Sequence, residues 1–138
     1  MGLIMKKAAL IISFLNVFLF AFKEISSDEV AMFAGSGDVV LVDVRTAPEW
    51  VESGVIERSH LITYFDKDFR PLKDEFMQKF SKVSGGDKNK PIVVICRTGQ
   101  RSKLVAGILD REGYKNVYNY KEGIIGWLTE KKPVVRIR

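Results

Sequence analysis

A single α/β domain, three α/β/α layers thick around a central parallel sheet, is the fold this 138-residue sequence predicts. Two runs, Val39-Val40-Leu41-Val42-Asp43-Val44 and Ile92-Val93-Val94-Ile95, are almost continuously apolar and β-branched, as in parallel strands buried on both faces. Segments of helical periodicity alternate with them, which is the pattern of strand–helix–strand units. A hydrophobic content of 46% supplies one core, and the length allows one domain.

The first 22 residues differ from the rest. Lys6-Lys7 precede a mostly apolar run from Ala8 to Phe22, the arrangement of a secretory signal, with Met5 a candidate working start. A spanning helix takes about 20 apolar residues, and this run is shorter and contains Asn16. Ala21 can precede a cut, although Leu19, at the third position back, is not small. Residues 1–22 are therefore expected to be a signal peptide or an N-terminal membrane anchor. Residues 23–138 form the domain, periplasmic or otherwise exported.

Within the domain, Ser26 and Glu29 have capping-box spacing and open a helix carrying Val30, Met32 and Phe33, which Gly35-Ser36-Gly37 ends. After the first buried strand, Thr46 caps a second helix with Pro48 in its first turn and Glu49 reaching back. Ser59 to Ile62 reads as a short strand. Leu72, Phe76, Met77, Phe80 and Val83 recur at helical spacing and mark an amphipathic helix. Ser84 to Pro91 is a polar connector into Ile92–Ile95. Leu104, Val105, Ile108 and Leu109 mark the next helix, which ends at Gly113. Val117 to Tyr120 is the last strand, Gly123 to Glu130 a short helix containing Trp127, and Pro133 closes the domain before a tail.

The net charge of +5 falls to +3 once Lys6 and Lys7 are set aside, and the basic residues are scattered. Nucleic acid is not an expected partner. With one cysteine, Cys96, and one histidine, His60, neither a disulfide nor a structural zinc site is expected. No metal or cofactor is expected. A sulfur-loaded or oxidised Cys96 has no second thiol to discharge it, so an outside acceptor must do so. His60 has nothing nearby in sequence to orient it and is not expected to act as a base.

The chemistry gathers at Cys96-Arg97-Thr98-Gly99-Gln100-Arg101-Ser102. The cysteine follows a buried strand and precedes a helix, where unpaired amides and the positive helix end favour an anion such as a thiolate. A lone cysteine after Ile-Val-Val-Ile also fits a small buried hydrophobe. The two arginines, glycine and hydroxyl residues that follow it favour a nucleophile. Such chemistry requires that the sulfur be reachable.

This loop resembles the active-site loop of the rhodanese-like sulfurtransferases, in which the cysteine carries persulfide sulfur. Leu41-Val42-Asp43-Val44-Arg45 with Glu49-Trp50 resembles the family's first signature. Gly54-Val55-Ile56 is similar to its Gly-His-Ile, with valine for histidine, and Glu57-Arg58 stands where Pro-Gly is usual. Gly113 to Tyr120 and Gly123 to Trp127 resemble the closing strand and turn, so the resemblance runs from about Ser26 to Glu130. It implies a thiosulfate-type sulfurtransferase using a Cys96 persulfide. Arg97, Thr98, Gly99, Gln100, Arg101 and Ser102 would bind substrate, and Asp43, Arg45 and Glu49 would support them. The implied partners are a small anionic sulfur donor and a thiol or cyanide acceptor. Membrane contact is expected only if the N-terminal segment stays, and the expected state is a monomer or weak dimer. The substituted Val55 and Glu57-Arg58 are expected to touch the rim of the site.

Two other readings stand beside this one. One is a persulfide carrier or binding module of the cell envelope that does not turn over. The other is a phosphatase or arsenate reductase on the same scaffold, but those enzymes use Cys-x5-Arg, whereas Cys96 and Arg101 are separated by four residues. The tighter spacing suits a sulfur atom better than a tetrahedral oxyanion.

Overall fold

The computed structural model describes residues 21–138. The expected signal or anchor, residues 1–22, lies outside them except for Ala21 and Phe22. Among the described residues no helix is long and apolar enough to cross a membrane.

The elements alternate along the chain: β1 (Lys23–Ile25), α1 (Ser27–Ser36), β2 (Val40–Asp43), α2 (Ala47–Ser53), β3 (His60–Leu61), α3 (Lys73–Ser84), β4 (Ile92–Ile95), α4 (Gln100–Arg111), β5 (Val117–Tyr120) and α5 (Gly123–Thr129). The five strands form one sheet in the order β1-β5-β4-β2-β3, with every pairing parallel. Every residue of β2 and β4 is buried, as their apolar runs require.

Side chains alternate across these strands and split the core in two. Val40, Val42, Ile92 and Val94 face α3 and α4, where they meet Phe76, Phe80, Val105 and Leu109. Leu41, Val93 and Ile95 face the other way, towards Val30 of α1 and Ile124 and Trp127 of α5. The expected three-layer sandwich is the observed one.

Several elements depart from the sequence expectation. β1 was not anticipated: Lys-Glu-Ile has no apolar alternation of its own, and it is a strand because the open edge of β5 pairs with it. β3 is only two residues long. In α4 the buried face is Val105, Ala106 and Leu109, while Leu104 stays 50% exposed. The tail does not trail away. Val135 and Val55 exchange backbone hydrogen bonds of 2.8 and 3.0 Å, and Arg136 donates to the Glu52 carbonyl.

Candidate active site

Because all strands run the same way, their carboxyl ends share one edge of the sheet, and β4 delivers Cys96 there. The chain then turns sharply into α4 through Gly99, whose φ of 88° is a left-handed value that favours glycine. A Cβ at Gly99 would run into the Lys121 carbonyl, and one at Gly123 into the Arg97 carbonyl. Two glycines thus let the loop press against the start of α5. Ile124 N–H donates to the Cys96 carbonyl at 2.9 Å and Ile125 N–H to the Arg97 carbonyl at 3.1 Å, clasping the loop from behind.

The sulfur sits inside this clasp. Gly99 N–H and Ser102 Oγ each donate to Cys96 Sγ at 3.1 Å. The first helical bond of α4 shown by the loop runs from Lys103 N–H to the Gly99 carbonyl, so the amides at the head of α4 precede the helical ladder. An inert core thiol needs no such donors. They suit a sulfur that carries negative charge.

The sulfur is nevertheless covered. Cys96 is 1% exposed and packs with the α3/α4 half of the core. The openly reachable sulfur that the chemistry needs is therefore not what this conformation presents. Two clefts approach the loop. One, of about 270 Å³, includes Arg45, Glu49, Arg97, Ile125, Leu128 and Arg136 in its walls. The other, of about 480 Å³, includes Pro48, Glu49, Phe65, Phe69, Leu72 and Arg101. Neither is lined by Cys96.

The other sequence-predicted residues divide. Arg97 and Thr98 are exposed, and Arg97 makes no ion pair or side-chain hydrogen bond among the described residues, leaving its charge open to a ligand. Arg101 is forked onto the Glu49 carboxylate by hydrogen bonds of 2.8 and 2.7 Å. Burial by itself would raise the Glu49 pKa, but the hydrogen bonds and charge of Arg101, with help from Thr46, outweigh it and lower the value to about 2. The Glu49 carboxylate, then the nearby Cys96 and Asp43, push Arg101 further towards its charged form against the cost of burial. Gln100 points elsewhere: it lines a groove with Phe22, Lys103 and Leu104 on the outer face of α4.

Asp43 and Arg45 are fully buried against each other, with Nη2–Oδ2 at 2.7 Å. Arg45 also donates to Ser53 Oγ at 2.6 Å and to the Gly54 carbonyl at 2.9 Å, tying the end of β2 to the end of α2. The pair holds the walls of the site. The Glu57-Arg58 turn does not touch the rim as expected. It lines a separate cleft with Ala31, Ala34 and Trp127 beneath α1 and α5, and Arg58 takes a φ of 67° where glycine would be relaxed. His60 is exposed on the edge strand.

Sequence reasoning missed Asn119. It is buried in β5, and its Nδ2 donates to the Gly99 carbonyl at 3.2 Å and to Glu24 Oε2 at 3.0 Å. The available signal was a polar residue inside an apolar strand.

Fold and loop together define a parallel α/β domain that cradles one cysteine at the carboxyl edge of its sheet. The rhodanese-like domain model matches residues 26–130, and the chain belongs to that family. It is similar to a sulfurtransferase of Allochromatium vinosum, 31% identical over 118 residues, covering 81% of this chain and 94% of the relative. It is also similar to the thiosulfate sulfurtransferase GlpE of Glaesserella parasuis, 26% identical over 113 residues, covering 82% and 93%. A polysulfide-sulfur transferase homodimer of Wolinella succinogenes shares the fold, with a TM-score of 0.63 at 24% identity and coverage of 85% of this chain and 80% of that one.

Proposed function

We propose that the chain is a sulfurtransferase that carries sulfane sulfur as a persulfide on Cys96. It takes the sulfur from an anionic donor such as thiosulfate and gives it to a thiophilic acceptor, cyanide or a thiol. The observation that carries this reading is the pair of donors, Gly99 N–H and Ser102 Oγ, aimed at one sulfur. The sulfurtransferase names of the relatives support it.

The steps balance. The Cys96 thiolate attacks the outer sulfur of thiosulfate, the S–S bond breaks, and sulfite leaves with the electron pair. Cyanide then attacks the terminal persulfide sulfur, giving thiocyanate and returning the thiolate. The loop donors face the negative charge at each stage. Arg97, exposed and without an acid partner among the described residues, draws in the donor's anionic end. We further infer that residues 1–22 direct export, which would leave a mature chain beginning next to β1.

Ping-pong turnover of thiosulfate and cyanide, lost in Cys96→Ser, is the expected result. Intact mass of the thiosulfate-treated protein should show a gain of one sulfur atom, and the same spectrum reports whether the first 22 residues have been removed. A persulfide without turnover would instead mark a carrier. Phosphatase activity with no sulfur transfer would overturn the proposal.

A further inference from the structure

Glu49 and Arg101 face each other 52 positions apart, both mostly shielded, with side chains 23% and 20% exposed. Glu49 lines both clefts beside the loop, Arg97 lines one of them and Arg101 the other. Glu49 is therefore the wall that the two clefts share, and Arg101 directly precedes Ser102, whose hydroxyl donates to the sulfur that neither cleft touches. The two oxygens of Glu49 have different duties. Oε1 also serves the start of α2, accepting from Thr46 N–H at 3.3 Å and Thr46 Oγ1 at 3.0 Å, whereas among the described residues Oε2 accepts from Arg101 alone. A helix cap needs only the first oxygen. The second is committed to the guanidinium.

We propose that Glu49 is a donor-selecting residue: its carboxylate fills the Arg101 fork, and a sulfur donor gains Cys96 only by replacing that carboxylate with an anionic group of its own. The donor's identity rests on the sulfur-transfer reading above, but the pairing of Glu49 with Arg101 beside the buried Cys96 does not. An oxyanion such as the sulfonate-like end of thiosulfate offers two oxygens on one edge, as a carboxylate does, so the exchange leaves Arg101 bidentate throughout. A neutral molecule offers no replacement and must leave a half-buried guanidinium unpaired. The pair is partly exposed, which keeps its strength low enough for an anion to compete.

The test uses Glu49→Gln and Arg101→Gln in the full chain. Glutamine at 49 keeps an oxygen for the Thr46 cap and loses the charge. Alkylation of Cys96 by iodoacetamide, a neutral probe, should accelerate about tenfold in both variants, the equivalent of about 1.4 kcal/mol. The KM for thiosulfate should fall severalfold in Glu49→Gln, where the fork is vacated, and rise in Arg101→Gln, where it is gone. Thr46→Val, which removes the hydroxyl bond to Oε1 and leaves the Arg101 bond to Oε2, should alkylate near the parent rate. Parent-rate alkylation of Glu49→Gln, or equal acceleration in Thr46→Val, overturns the proposal. Acceleration without thiosulfate turnover in any form would keep the covering role and reject the sulfur-transfer reading. Turnover without acceleration would do the reverse.

Discussion

Asn119 and Gly99 meet through one hydrogen bond, Nδ2 to carbonyl at 3.2 Å, and the N–H of that same glycine is aimed at Cys96 Sγ. One side-chain amide on β5 thereby anchors the glycine whose own N–H faces the Cys96 sulfur. The same Nδ2 reaches Glu24 on β1, so the edge strand next to the N-terminal segment braces the loop too. Asn119→Leu should lower kcat for thiosulfate–cyanide transfer about tenfold while leaving KM near its parent value, because it moves the cradle and not Arg97 or Arg101. Stability should fall by about 0.5–1.5 kcal/mol in urea titration, the net worth of one hydrogen bond, because the Gly99 carbonyl keeps the bond from Lys103 N–H. An unchanged kcat would show that the loop holds its shape unaided.

Ser102 is buried and its hydroxyl donates to the sulfur. Ser102→Ala removes one of two donors without changing the volume much. A hydrogen bond to a charged group is worth about 1.5–3 kcal/mol, so kcat should drop roughly ten- to hundredfold while the melting temperature moves by a few degrees at most. A large loss of stability with full activity would place the hydroxyl in packing instead of chemistry.

Gly99→Ala and Gly123→Ala each set a methyl group against a facing carbonyl at a positive φ. Neither carbonyl can withdraw, since each belongs to the other half of the same clasp. Each substitution should cost about 2–4 kcal/mol, seen as a lower urea midpoint. Gly85→Ala, also at positive φ but with open space around it, should cost only about 1 kcal/mol and serves as the comparison.

The Glu49 carboxylate has its pKa lowered to about 2 in the folded chain, below the ordinary value of 4.5 that the unfolded chain would show. A depressed acid adds stability that is fully present above the unfolded value and is lost as pH falls towards the folded one. The difference in unfolding free energy between parent and Glu49→Gln should therefore be flat from about pH 8 to pH 6. At about 1–2 kcal/mol once partial exposure is allowed for, it should shrink below about pH 5. A gap that widens with acid would mean that the carboxylate is not held by Arg101. The same sign keeps the Arg101 fork filled throughout the neutral range.

Asp43 and Arg45 form an ion pair with both side chains essentially out of water. Asp43→Asn leaves a buried guanidinium without its counter-charge and should cost about 3–5 kcal/mol. Arg45→Met should cost a similar amount by stranding the carboxylate and releasing Gly54 and Ser53 at the end of α2. Calorimetry of the two single variants and the double variant checks this. The double should be less damaged than the sum of the singles, because it leaves no lone charge.

The amino-acid sequence alone carried the sandwich and the cysteine loop. Val40–Asp43 and Ile92–Ile95 announce buried strands by composition, Phe76 and Phe80 announce a helix face by spacing, and Ser26 and Thr46 announce helix starts by their side chains. These signals depend on the backbone preferences and burial of a few consecutive residues, so they survive without knowledge of the rest. What tertiary structure decided lies between distant residues. It turned Lys23–Ile25 into a strand, brought Val135 back to Val55, and put Asn119 behind Gly99. It also gave the Arg101 fork to Glu49 and closed the core over the sulfur. An arginine pattern states that a guanidinium is present; which anion fills it depends on distances of a few ångströms between segments far apart in sequence, and on the water excluded when they meet.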